Sequence, residues 1–433
     1  MQGVKTLEQT LESLIYDWNT AEGKPVFHKE IEFDDETLRD GLQSPSVKNP
    51  AIARKLEILH LMVDLGIHAA NIGLPGAGAK ATEDSLILAK EIAKEKLPIF
   101  PNCAARTLKV DIDPIIRISQ EAGVPMEASL FIGSSPIRQY VEGWGLDKML
   151  RFTEEAVTYA VKNNLSVMYV TEDTTRARPD TLEKLYRAAI ECGADRICFC
   201  DTVGYAEPRG VRNLIAFAVK LVKEAGRTVK IDFHGHMDRG LGVLNAIAAL
   251  EAGADRVHGT ALGIGERAGN APMDLILVNL KLLGAIRNDL TSLSKYCEAV
   301  SQACDVPIPH TYPVIGKDAF RTVSGIHAAA IIKAEKKERE AGPPLKQDAL
   351  RLSDQVYSGI PASWVGRTQE IEVGPMSGES NVVYWLGRRG IPADEALVRK
   401  VLARAKESDH TLSESEIKEI VDRAPSPARA VEA

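Results

Sequence analysis

From about residue 30 to residue 290, short runs of β-branched and aromatic residues alternate with amphipathic stretches of helical period. The runs IEFDDE from residue 31, HAANIG from 68, LPIFPNC from 97, MEASLFIG from 126, LSVMYVTE from 165, DRICFCD from 195, VKIDFHG from 229 and DRVHGT from 255 predict strands. Helices are predicted over 50–65, 80–95, 113–122, 146–163, 180–192, 208–225, 240–251 and 273–287. Eight strands each followed by a helix predict an α/β fold, a (β/α)8 TIM barrel. An open doubly wound sheet shows the same alternation. The polar residues favour the barrel: Asp35, Asp40, Asn71, Glu172, Asp201, His234, His236 and Thr260 fall at or just after the C-terminal ends of their strands, which a closed barrel gathers at one mouth.

Outside the barrel, expected over residues 28–300, the pattern changes. Residues 1–27 suggest an N-terminal helix, and 301–390 suggest a lid or linker with a charge-dense connector at 333–347. Residues 391–421 predict two short helices with Thr411 or Ser413 capping the second, and the tail from 423 to 433 is expected to be disordered.

Composition narrows the function. A chain of 433 residues accommodates one barrel of about 250 residues plus appendages. No apolar run approaches the roughly 20 residues needed to span a bilayer, and the N-terminus has an acidic helical pattern without signal-peptide features, so a cytoplasmic protein without membrane partners is expected. A net charge of -7 disfavours nucleic acid. The six cysteines contain no C-x-x-C pair, which fits reduced thiols; Cys198 and Cys200 share a strand face and suit core packing better than a soft metal site.

The chemistry centres on KIDFHGHMDRG. His234 and His236 are separated by one residue, so on a strand both rings point to one face, and two adjacent imidazoles can share a metal ion. After the first strand, DETLRDGLQSP offers Asp40 as a hard oxygen ligand and Arg39 as a permanent cation whose planar fork suits a developing oxyanion. After the eighth comes HGTALGIGERAGNAPMD. Its G-x-G-x-x-A spacing fits a dinucleotide loop formally, but the run to Pro272 and the lack of an acidic strand end about 20 residues on argue against one. Its glycines instead allow backbone to pass close to a ligand and place Asn270 over the mouth. Two imidazoles, a carboxylate and an amide oxygen suit Zn²⁺, Mn²⁺ or Mg²⁺.

TLRDG at 37–41, the His-x-His at 234–236 and GIGERAGNA at 263–271 together resemble the acyl-CoA-condensing metalloenzymes that include isopropylmalate, homocitrate and citramalate synthases, in a superfamily shared with hydroxymethylglutaryl-CoA lyase. The resemblance covers about residues 30–390. It implies a divalent metal held by Asp40, His234, His236 and Asn270, with Arg39 as the adjacent electrophilic residue. It implies acetyl-CoA as cosubstrate and a 2-oxo acid contacted by Thr202, Gln43 and Ser129, with Glu172 near the same substrate as a catalytic residue aiding the base. It further implies a homodimer in which His327 of SGIHAAAIIKA enters a partner's site as the base, with Tyr357 of the same lid. The implied reaction is a Claisen condensation giving a 2-alkylmalate, with 2-oxoisovalerate as leading substrate and leucine biosynthesis as its setting. Homocitrate, citramalate and arylalkylmalate formation are alternatives, as is a metal-dependent carbon–carbon lyase; a metal-holding protein without catalysis would need neither Arg39 nor His327. The chain departs from the synthase pattern at Leu42 (glutamate in the synthases), Met237 (asparagine), Ser129 (histidine) and Asn71 (glutamate), and GIGERAGNA has no counterpart of the lyase cysteine. No long C-terminal regulatory domain is expected.

Overall fold

The computed structural model describes residues 14–341 and 352–424. They fall into two compact units, Glu22–Ile308 and a second that runs from Pro309 and takes in the described residues before Glu22. In the first unit eight parallel strands close on themselves in sequence order: β1 (Glu32–Asp35), β2 (Ala69–Asn71), β3 (Phe100–Arg106), β4 (Glu127–Gly133), β5 (Ser166–Glu172), β6 (Arg196–Asp201), β7 (Lys230–Gly235) and β8 (Arg256–Gly259). β1 closes the ring on β8, in register from Glu32 with Arg256 to Asp35 with Gly259. This is a TIM barrel, with a strand in each of the eight runs. The helices outside it are held by apolar stripes; Pro208–Ala225 buries Val211, Ile215, Ala218 and Leu221, one side of a 3.6-residue period.

In the first unit, two α-helices lie outside the expected set. Pro136–Glu142 is inserted after β4 and starts at Ser135, whose hydroxyl accepts the amide of Arg138. Leu293–Cys304 spans the expected boundary at residue 300, and its Tyr296 hydroxyl hydrogen-bonds Asp35 on β1. Asp35 therefore points away from the mouth, because adjacent side chains on a strand take opposite faces. Asp201 and Thr260 also do structural work: Asp201 accepts the amides of Tyr205 and Ala206 (2.9 and 3.1 Å), and Thr260 donates to the Ile264 carbonyl (2.7 Å).

Beneath the mouth, the barrel interior is charged. Arg256, 2% exposed, lies between Asp232 (2.6 Å) and Glu127 (2.7 Å), while Arg196 reaches the other oxygen of Asp232 (2.9 Å) and also Glu32 (2.8 Å). Burial opposes ionisation of Asp232, but the two guanidiniums outweigh it and hold this carboxyl well below the usual range.

The second unit contains the helices Gly325–Ala341, Glu379–Arg388, Glu395–Glu407 and Glu414–Asp422. Val382, Trp385, Leu386, Leu397 and Val401 form the centre of its core. Ser413, not Thr411, is the N-cap: its hydroxyl accepts the Glu416 amide and Glu416 returns a bond to the Ser413 amide. The helix Gly325–Ala341 runs into the expected connector, whose residues 342–347 lie outside the described ones, as do 1–13 of the expected N-terminal helix and 425–433 of the tail. Over residues 14–27 the main feature is one short turn, Trp18–Thr20. Among the described residues, no helix is long and apolar enough to cross a membrane.

Removing one member of a buried ion network leaves its partners unpaired. Arg256→Leu should therefore cost roughly 3–5 kcal/mol, measured from the urea unfolding midpoint, since Asp232 would keep only Arg196 and His258 and Glu127 would lose its ion-pair partner.

Candidate metal and substrate site

On β7 and the residue after it, alternate positions face inward, so Asp232, His234 and His236 form one column from the charged interior up to the mouth. At its top, Asp40 Oδ2 lies 3.9 Å from His234 Nε2 and 3.7 Å from His236 Nε2. Ligand atoms from these three residues fall within 4.8 Å of one another, a separation that one cation can bridge. Asp40 Oδ2, His236 Nδ1 and Asn270 Oδ1 are buried without a hydrogen-bond partner. Such atoms are costly unless something else binds them.

Asn270 reaches this corner through the loop after β8. It forms a bridge with His236, and its side-chain amide donates to the Ile264 carbonyl at 3.1 Å. The loop's glycines make this turn possible. A Cβ on Gly269, at φ +91°, would lie 1.8 Å from the Gly263 carbonyl, and one on Gly265 would lie 2.2 Å from the Asn270 amide. The chain folds back on itself, and only glycine fits. Arg267 takes a left-handed backbone (φ 55°) and pairs with Asp238 at 2.8 Å.

Arg39 is held from three sides. Nη1 bonds Asp40 at 2.5 Å, Nη2 bonds Glu36 at 2.6 Å, and Nε lies 3.2 Å from the Asn71 amide, which accepts from it when its oxygen is turned toward the guanidinium. Glu36 and His258 were not among the expected residues. Glu36 Oε2 lies 2.7 Å from His234 Nδ1, and Oε1 lies 3.4 Å from His258 Nδ1. Glu36, His234 and His258 form a second group close enough to hold a cation, but Arg39 already neutralises this carboxylate. The signal for Glu36 was period two from Asp34, masked because DDE offers a carboxylate to both faces.

A cavity of about 240 Å³ opens at the mouth. Its lining includes Arg39, Asp40, Gln43, Ser129, Glu172, Thr202, His234 and His236, with Leu74, Phe131, Met168 and Val170 as an apolar wall. Ser129 donates to Asn102 (3.1 Å), which in turn donates to Asp34 (2.8 Å). Thr202 accepts the Asp173 amide at 2.8 Å, which leaves its own proton to donate. Glu172 lies 3.6 Å from Arg138; burial raises its pKa, Arg138 lowers it, and the carboxylates of Asp173, Glu142 and Glu266 add to the rise. Cys198 and Cys200 line the cavity with sulfurs 3.9 Å apart and pack with Met168. Met237 does not line it; its sulfur fills the space over Gly242. His327 and Tyr357 belong to the second unit, where their rings stack 4.0 Å apart.

Residues 30–301 match the HMGL-like family. The chain is 32% identical to a homocitrate synthase of Methanopyrus kandleri, over 89% of this chain and 90% of that one. The chain belongs to the isopropylmalate and homocitrate synthase family. Another relative, a probable 2-isopropylmalate synthase of Ignicoccus hospitalis, is also 32% identical, covering 91% of this chain and 92% of its own. Equal similarity to two differently named synthases defines the family without choosing a substrate. The fold also matches an HMG-CoA lyase from Bacillus subtilis at 21% identity and a TM-score of 0.54, over 65% of this chain and 96% of that one.

Without metal, the two histidines of this family member differ in charge. Burial opposes protonation of His234, but Glu36 prevails and raises its pKa from 6.5 to about 9, whereas burial and the charge of His234 depress His236. The stabilisation from charged His234 is thus fully present below pH 6.5 and lost as pH rises through about 9. Histidine ring NMR on metal-free protein should show His234 titrating near pH 9 and His236 remaining neutral at pH 7.

Proposed function

We propose that the chain catalyses a Claisen condensation of acetyl-CoA with a 2-oxo acid, releasing CoA and a 2-alkylmalate. The observation that carries this reading is Asp40, His234 and His236 clustered beside Arg39 at one cavity. The donor set fits a divalent metal, because Asp40 Oδ2 and the Asn270 oxygen are buried without partners and two imidazoles stand beside them. Zn²⁺, Mn²⁺ or Mg²⁺ would be held by Asp40, His234, His236 and Asn270. When bound, such an ion supplies Lewis-acid polarisation of the 2-oxo acid's ketone.

The chain's own residues then divide the work. Thr202 directs its hydroxyl proton to the substrate carboxylate, with Gln43 and Ser129 as further contacts. Arg39, pinned by Glu36, Asp40 and Asn71, presents fixed positive charge to the alkoxide that forms when the acetyl-CoA enolate attacks. Removal of the methyl proton falls to His327, supplied by a second copy of the chain in a homodimer, with Tyr357 beside it. Glu172, whose pKa burial raises, is the nearby carboxyl placed to assist proton transfer. Water then releases CoA from the thioester. The apolar wall of Leu74, Phe131, Met168 and Val170 supports a 2-oxo acid with a branched hydrocarbon side chain, so 2-oxoisovalerate leads and 2-isopropylmalate, a leucine precursor, is the expected product.

The test is release of free thiol from acetyl-CoA with a panel of 2-oxo acids, with and without divalent metal. Metal-dependent release that is fastest with 2-oxoisovalerate is expected; no release with any acid, or breakdown of a 3-hydroxyacyl thioester without acetyl-CoA, would overturn the synthase reading. The shared site predicts complementation: inactive Arg39→Ala and His327→Ala proteins, mixed under conditions that exchange subunits, should regain up to about a quarter of wild-type activity, since one combined site in a mixed dimer is intact. Recovery that stays at zero while exchange is demonstrated would place His327 elsewhere.

A further inference from the structure

We infer that Glu36 is a positioning residue that sets two parts of the site with one carboxylate: it holds the Arg39 guanidinium with one oxygen and fixes the orientation and tautomer of His234 with the other. The inference rests on the reading of Asp40, His234 and His236 as metal ligands.

Glu36 is 2% exposed. Oε1 accepts from Arg39 Nη2 at 2.6 Å, and Oε2 stands 2.7 Å from His234 Nδ1. Oε2 makes no hydrogen bond of ordinary angle to the ring, yet two bare acceptors this close would repel, so the contact favours the proton on Nδ1. In the neutral ring the lone pair then lies on Nε2, the atom facing Asp40 Oδ2 at 3.9 Å. Glu36 thereby turns a ring that has two candidate ligand atoms into one with a single ligand atom on the correct side.

Neutralising a buried carboxylate would need only Arg39. Here a third group is present: His258 Nδ1 lies 3.4 Å from Oε1, and its Nε2 lies 3.1 Å from Asp232. Asp232 is in turn held by Arg196 and Arg256. Glu36 is therefore faced from below by the charge of His258, without a hydrogen bond between them, while its contacts to Arg39 and His234 lie on the cavity side.

Glutamine separates these roles because it keeps the size and loses one acceptor. With its oxygen on Arg39, the amide nitrogen of Glu36→Gln meets His234 Nδ1 and donates to it, which moves the ring proton to Nε2 and removes the lone pair from the metal side. With the amide reversed, Arg39 faces a donor and is released. Neither orientation satisfies both neighbours.

The experiment is competition between the protein and a chelator for Zn²⁺ alone, on the wild-type chain and Glu36→Gln, with thermal unfolding of both. Loss of such a supporting carboxylate should weaken Zn²⁺ affinity by about 10- to 100-fold. Equal affinity in the two proteins would overturn the inference while leaving the metal reading intact; a wild-type chain that takes up no Zn²⁺ would overturn the metal reading, and the inference with it. Should Glu36→Gln fail to fold, ¹⁵N spectra of labelled histidine in the Zn²⁺-loaded wild-type chain decide the point. A proton on Nδ1 of His234 is expected, and one on Nε2 overturns the inference.

Discussion

The arrangement at the mouth depends on one strand pairing, β1 against β8. Asp40 and Arg39 follow the first strand, while His234, His236 and Asn270 come from the seventh strand onward, about two hundred residues later in the chain. Only ring closure makes them neighbours. The parallel register of β1 on β8, together with β7 on β8, also sets their height along the barrel axis. A slip of two residues would preserve the inward faces and still lift Asp40 away from the histidines by a strand repeat of about 6.5 Å.

Below that level, the barrel is filled with paired charge where hydrocarbon is more usual. Asp232, Arg196, Arg256 and Glu127 neutralise one another, and His258 links them to Glu36. Buried ion pairs add little net stability compared with an apolar filling, but each fixes direction. The side chains above them inherit that rigidity. His234 has a close neighbour on Nδ1, and both terminal nitrogens of Arg39 are held by carboxylates. A site supported in this way needs little reorganisation to meet developing charge.

Much of this was readable in the sequence because it is local. The alternation of strands and helices gave all eight barrel strands, and the single-residue spacing of His234 and His236 gave a shared face. What sequence could not resolve was direction in runs without alternation. Asp34, Asp35 and Glu36 are all carboxylates, so no polarity pattern tells which face the barrel, and Asp35 was expected at the mouth although it serves Tyr296. His258 sits in a strand among apolar neighbours, where a buried histidine usually packs, and its partners Glu36 and Asp232 come from other strands. The crowding of the glycine-rich loop against Gly263 and Asn270 is not legible in the sequence, because it exists only once the loop is folded.

The charged interior also bears on how the barrel assembles. Asp34 and Glu36 arrive with the first strand, but the imidazoles that face them, His258 and His234, arrive with the last two. Glu36 has Arg39 beside it from the start, but Asp34 has no cation from its own segment to compensate its dehydration, so it stays hydrated until the last strands arrive. The interior then excludes water only in the final stage, when both ends of the ring meet. A fragment that stopped short of β7 would keep a wet, open trough, so the dry barrel forms as one cooperative unit from contacts of the longest sequence separation in the domain, the kind that makes folding slow.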